Sequence, residues 1–100
     1  MEERSYRAAR LLRALGHPLR FRIIELLSGQ VLSSAQIGHL LERKQPTVSN
    51  SLSVLVKLDM VSYKRTGNRL VYRLKIRGAT AILERARECV VKIETMGRLR

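Results

Sequence analysis

The segment from Pro46 to Leu58 constrains this chain more than any other. Its apolar residues Val48, Leu52, Leu55 and Leu58 recur at three- and four-residue intervals, the period of a helix with one buried face. Pro46 suits the opening of such a helix, where its missing N–H leaves no bond unmade. The other face is formed by Thr47, Ser49, Asn50, Ser51 and Ser53, with Gln45 just before it. A helix face that only meets water is usually built from Glu and Lys, which are better helix formers than Ser, Thr and Asn. Short hydroxyl and amide groups allow close approach to another surface, and they hydrogen-bond to base edges or phosphates. The alternative is a weakly helical face that is only solvated.

The flanking segments define what carries this helix. Residues 2–15 place Ala8, Leu11, Leu12 and Leu15 on one helical stripe, with Arg4, Arg7, Arg10 and Arg13 along the other side and Gly16 as the stop. Glu2 and Glu3 suit the positive end of that helix dipole. His17-Pro18 opens a second helix whose apolar face is Phe21, Ile23, Ile24 and Leu27, ended by Ser28-Gly29. Val31-Leu32 is long enough for a single strand pairing. Ser33 or Ser34 caps a short third helix with Ile37, Leu40 and Leu41 inward. Gly38 sits inside it at a propensity cost near 1 kcal/mol relative to Ala, so a close helix–helix crossing is expected there.

After the 46–58 helix, Val61-Ser62-Tyr63-Lys64 and Leu70-Val71-Tyr72-Arg73-Leu74 read as two strands joined across Thr66-Gly67-Asn68, with Gly67-Asn68 supplying positive φ. Residues 79–95 form a last helix with Ala79, Ile82, Leu83, Ala86, Val90 and Ile93 on one stripe. Cys89 joins that stripe. The order α-α-(β)-α-α-β-β-α is mainly α (α+β): a winged helix-turn-helix with a helix added at each end. A single unit over 1–100 is expected, with 1–15 and 79–100 as dimerisation helices, because a body of about 70 residues leaves two amphipathic helices unpartnered.

Charge narrows the partner. The 100 residues hold 20 Lys+Arg and 8 Asp+Glu, a net +12, with 15 Arg to 5 Lys. The window 57–77 alone holds Lys57, Lys64, Arg65, Arg69, Arg73, Lys75 and Arg77 against Asp59. A hairpin tip this cationic favours a polyanion. A 45% apolar content excludes a disordered basic tail. No apolar run reaches the roughly 18–20 residues of a membrane span, and the Arg-studded start lacks a signal-peptide apolar region, so a cytoplasmic protein without a membrane partner is expected. One cysteine builds no disulfide framework. No carboxylate pair, Cys-His or Ser-His-Asp arrangement or phosphate loop is present, so an enzyme is not expected.

Three stretches carry a family resemblance: LRALGHPLRFRIIELL (12–27), IGHLLERKQPTVSNSLSVL (37–55) and VSYKRTGNRLVYRL (61–74). With them the sequence resembles the arsenic-repressor (ArsR/SmtB) group of winged-helix transcriptional repressors. The resemblance implies a homodimer joined through the first and last helices. Its recognition helices would enter successive major grooves of a pseudo-palindromic operator in double-stranded DNA, with half-sites about 34–36 Å apart.

By motif position, Gln45, Thr47, Ser49 and Asn50 correspond to base- and phosphate-contacting residues, and Arg65 and Arg69 to wing contacts. Lys44 falls where the family often has a Ser or Thr cap, and Ser51 where many members carry His. Lys44 and Ser53 complete the recognition-helix set; Lys64 and Asn68 complete the wing; Lys57 adds a phosphate-seeking charge. Ala8, Leu11, Leu12, Leu15, Ile82, Leu83, Ala86, Cys89, Val90 and Ile93 form the expected dimer surface.

The sequence departs from the family's metal sensors. Their Cys-x-Cys in the third helix would fall at Ser33 and Ala35, and residues 79–95 contain no His beside Glu84, Glu88 and Glu94. No metal and no cofactor are expected. His17 reads as an N-cap or packed turn residue and His39 as an exposed side chain. Cys89 reads as a small hydrophobe of the dimer surface; the alternative is a redox switch with its symmetry mate, which needs Cα atoms within about 7 Å. The rival functions are a nonspecific architectural DNA-binding protein and an RNA- or protein-binding winged helix.

Overall fold

The structure, a computed structural model, describes residues 2–98. Within them lie helices α1 (Glu3–Leu15), α2 (Pro18–Leu27), α3 (Ser34–Leu41), α4 (Gln45–Lys57) and α5 (Ala79–Arg98), and strands β1 (Leu32–Ser33), β2 (Val61–Thr66) and β3 (Arg69–Leu74). The last two positions of the 79–100 stretch fall outside the described residues.

Local chemistry sets the helix starts. His17 caps α2, its Nδ1 accepting from the Leu19 N–H at 3.3 Å, with Pro18 next in line. Ser33 caps α3 in a reciprocal box: its Oγ accepts from the Gln36 N–H at 3.1 Å, and Gln36 Oε1 accepts from the Ser33 N–H at 2.8 Å. Two orphan donors are thereby satisfied. Lys44 stands at the cap of α4 and supplies no side-chain cap bond.

The helix ends were less legible. Both α3 and α4 are followed by a residue in the left-handed region, Glu42 (φ 54°) and Asp59 (φ 59°), where glycine is usual. The turn at Glu42 brings the Arg43 N–H onto the Gly38 carbonyl at 2.9 Å. A Cβ on Gly38 would lie 2.9 Å from the Arg43 carbonyl oxygen but 3.8 Å from Val48 Cγ2. The glycine is thus required by the chain's own turn more than by the expected crossing of two helices.

The sheet order is β1-β3-β2, antiparallel throughout. Thr66 pairs with Arg69, leaving Gly67-Asn68 as a two-residue turn with positive φ at Gly67 (64°) and not at Asn68. Positive φ at the first central residue alone is the type II′ pattern, which matches strand twist.

The core joins α2, α3, α4 and the root of the hairpin: Ile23, Ile24, Ile37, Val48, Leu52 and Leu55 are wholly buried and Val61 nearly so. One inward and one outward assignment change. Leu40 is 53% exposed because the short α3 turns only Ile37 and, partly, Leu41 inward. Ser51 is buried at 8% exposure, so it leaves the polar face of α4.

α5 is mounted on α2 at its root. The Ser28 and Thr80 hydroxyls are 2.8 Å apart, and Glu25 pairs with both Arg22 (3.1 Å) and Arg87. Ala79 and Leu83 are buried there. Leu15 is likewise buried at the end of α1, and Leu11 and Ile82 pack partly on the core. Leu15 and Leu83 therefore fill the chain's own interior and are unavailable to a dimer surface. Of that set, Ala8, Leu12, Ala86, Cys89, Val90 and Ile93 stand exposed, extended by Val91 and Met96.

Candidate nucleic-acid interface

The recognition segment begins where α3 and α4 meet. Burying Val48, Leu52 and Leu55 fixes the rotation of α4, and Thr47, Ser49, Asn50 and Ser53 then face outward, all exposed. Gln45, at the first turn, donates from Nε2 to the Ser34 Oγ at 3.1 Å. That bond leaves Oε1 and the second amide N–H uncommitted.

The hairpin reaches the same end of the molecule. A groove of about 350 Å³ is lined by Gln45 and Ser49 from α4, Asn68 and Arg69 from the wing, and Ser34 at the start of α3, with Tyr72 behind. The fold thus brings together Gln45, Ser49, Asn68 and Arg69. Thr47, Asn50 and Ser53 lie on the exposed remainder of α4, and Lys64 and Arg65 on the exposed outer part of β2, all outside that groove. Ser34 and Tyr72 were not foreseen as lining residues. The capping signal at Ser33/Ser34 was the only hint of the first, since it fixes where α3 begins.

Electrostatics in this region is one-sided. Among the described residues, Lys44, Lys64, Arg65 and Arg69 pair with no carboxylate, nor does Lys57 at the far end of α4; the ion pairs are Arg22–Glu25, Arg87–Glu25, Lys75–Asp59 and Arg85–Glu88. Unpaired cations on an exposed hairpin raise the local potential felt by a polyanion. The hairpin is stiffened by Tyr63 and Tyr72, paired across strands with ring centroids 5.8 Å apart. Burial, and next the neighbouring Tyr63, holds the Tyr72 hydroxyl pKa above the ordinary tyrosine value.

Comparison with known proteins fits this geometry. The family described as "Bacterial regulatory protein, arsR family" matches residues 17–63, from the α2 cap into β2. The chain is 32% identical over 84 residues to a biofilm growth-associated repressor of Agrobacterium fabrum, covering 84% of this chain and 72% of that protein. The chain belongs to the ArsR family.

Solved structures of similar proteins carry the same architecture. The transcriptional repressor BigR from Xylella fastidiosa superposes with a TM-score of 0.76 at 30% identity, over 84% of this chain and 86% of that one. A homodimeric winged helix-turn-helix DNA-binding domain from Mycobacterium bovis, a possible ArsR-family regulator, gives 0.75 at 24% identity over 98% and 93%. The ArsR-family chain is a winged helix-turn-helix transcriptional regulator, and its relatives and structural neighbours are regulators, not enzymes. Among the described residues no three His, Cys, Asp or Glu side chains gather as a metal group would require, and no helix is long and apolar enough to cross a membrane.

Proposed function

We propose that this protein is a cytoplasmic, homodimeric repressor that binds a pseudo-palindromic operator in double-stranded DNA and does not use the metal-sensing cysteines of its family. One observation carries the reading: the groove shared by Gln45 and Ser49 of α4 with Asn68 and Arg69 of the wing. In it a helix with short polar groups and a cationic hairpin address one surface.

The division of labour follows from chemistry. Gln45, Thr47, Ser49, Asn50 and Ser53 read base edges, since amides and hydroxyls discriminate donor and acceptor patterns in the major groove. Lys44, Lys57, Lys64, Arg65 and Arg69 hold phosphates and supply affinity without sequence preference. Asn68 places the wing tip against the backbone.

Self-association rests on the exposed apolar stripes of α1 and α5, where Val90, Val91, Ile93 and Met96 are each more than half exposed. Such a run along one helix is what a partner subunit covers. The two-fold relation of the subunits then sets the half-site spacing. The homodimeric Mycobacterium bovis domain supports this arrangement. On this reading residues 1–100 act as one unit, with α1 and α5 as its dimerisation helices.

Footprinting on genomic fragments that the protein selects tests the proposal. A protected palindrome at a promoter, with transcription lowered from it, is the expected result. Uniform coverage of any duplex assigns an architectural coat instead, and preference for RNA at matched salt removes the operator reading.

A further inference from the structure

Away from the groove, a second concavity of about 680 Å³ opens between α1, the α1–α2 turn and the C-terminal half of α4. Its cations are Arg10, Arg13 and Arg20, and its lining includes no carboxylate. None of these guanidinium groups pairs with a carboxylate among the described residues. Arg20 is half-committed: Nη1 donates to the Ala14 carbonyl at 3.2 Å, while its Nε is buried without a partner. The apolar part of the lining comes from Ala14, Val54 and Leu58, and the Tyr6 ring adds an aromatic edge.

We infer that this cleft binds a small organic anion, an apolar or aromatic body bearing a carboxylate or phosphate, and that its occupancy alters operator binding. Guanidinium groups match carboxylate and phosphate geometry through paired N–H donors, and the adjoining apolar side chains offer contact to an organic body. A few convergent polar groups over an apolar lining is the ordinary composition of a small-molecule site.

The occupant is a small molecule because the cations line a recess with apolar walls. A duplex backbone is a convex ridge, met by protruding cations such as those of the wing. The site also survives dimerisation. At about 100° per residue, Ala8 and Leu12, the exposed α1 positions of the proposed dimer surface, each lie two residues from Arg10 and so on nearly the opposite side, while the exposed Tyr6 faces the cleft.

Coupling to DNA runs through α4 and rests on the proposed operator binding. Val54 and Leu58 follow Asn50 at successive four-residue steps, on the same side of the helix. An anion held against them bears on the helix one turn from an outward-facing polar residue.

The test uses the full chain and 2-naphthoate as probe, followed by calorimetry without DNA. Saturable binding is expected, weakened about tenfold in an Arg10→Gln/Arg13→Gln variant for the lost charge-assisted bonds. Both residues are exposed on α1, so the variant keeps its fold, which circular dichroism verifies. The neutral 2-naphthylmethanol and inorganic phosphate should each bind more weakly than naphthoate.

Absence of saturable naphthoate binding, or equal binding by the variant, overturns the site. Equal binding of inorganic phosphate overturns the organic body. Loss of duplex affinity in the variant without naphthoate binding reassigns the arginines to a DNA flank. Adding naphthoate to the operator complex should change its dissociation in the parent chain and not in the variant; binding without that change overturns the coupling alone. Because the first measurement contains no DNA, failure of the operator reading leaves it interpretable.

Discussion

The side-chain amide of Gln45 is held by the hydroxyl of Ser34, Nε2 to Oγ at 3.1 Å, across the junction of α3 and α4. A residue proposed to read a base is therefore oriented before any DNA arrives. Gln45→Ala should reduce discrimination at one operator position by about 1–3 kcal/mol. Ser34→Ala leaves the amide in place but unanchored, and its expected effect is smaller, about 1 kcal/mol. Competition between the operator and its single-base variants measures both; equal discrimination in all three proteins removes Gln45 from base reading.

The unpaired wing cations predict a different signature. Arg65→Ala and Arg69→Ala should weaken binding to every sequence alike. Each should also flatten the plot of log affinity against log salt by roughly 0.9 if it neutralises one phosphate. Titrations at several salt concentrations check this, and an unchanged slope places the side chain off the backbone.

Residues on α5 should separate into two classes. Val90→Glu or Ile93→Glu puts a charge on the exposed stripe, and sedimentation should show monomers that remain folded. Leu83→Ala removes a side chain that is 3% exposed and should cost about 2–5 kcal/mol of stability. Intact dimers of both charge variants would move the subunit interface elsewhere.

The α3–α4 turn offers a matched pair of substitutions. Gly38→Ala drives a Cβ to 2.9 Å from the Arg43 carbonyl oxygen, and the strain of about 1–3 kcal/mol outweighs a helix-propensity gain near 1 kcal/mol. Glu42→Gly relieves a left-handed non-glycine residue and should stabilise by about 1 kcal/mol. Thermal unfolding at one fixed protein concentration should move in opposite directions for the two.

Tyr72 gives a pH dependence with a definite sign. Its folded pKa lies above the model-peptide value of 10.0, so the unfolded chain releases that proton first as pH rises. The stability it contributes is full below pH 10 and is lost as pH climbs through the folded pKa. Denaturant unfolding across the alkaline range should show a falling limb that Tyr72→Phe makes shallower.

Much of the fold was legible because local rules and packing agreed. Pro18 and Pro46, the serine cap at Ser33 or Ser34 and the Gly67 turn each state a backbone conformation in a residue or two, and the apolar spacing of α2 and α4 states which face is buried. Two differences depend on which surface an apolar stripe meets. Leu15 and Leu83 continue the exposed stripes of α1 and α5, yet the fold turns them into its own interior, and periodicity alone does not mark where a stripe changes partner. Ser51 is buried as a small residue in a tight place, which polarity hides. The left-handed Glu42 and Asp59 are set by the turns that close α3 and α4, and neither residue type announces it. For the site, the polar face and the basic wing could be read in the chain, but Ser34 and Tyr72 entered only through the folding of α3 and β3 around them.

The mounting of α5 on α2 has a mechanical consequence. Thr80 and Arg87 fasten its first turns to Ser28 and Glu25, while the rest, from Arg87 to Arg98, projects about 16 Å beyond the last fastening. A rod clamped at one end magnifies rotation: about 5° at the clamp displaces the far end by roughly 1.4 Å, a little under half the 3.4 Å rise of one base pair. In a two-fold assembly gripped by that rod, the reach between the two reading heads is gauged at Ser28 and Glu25, far from either head.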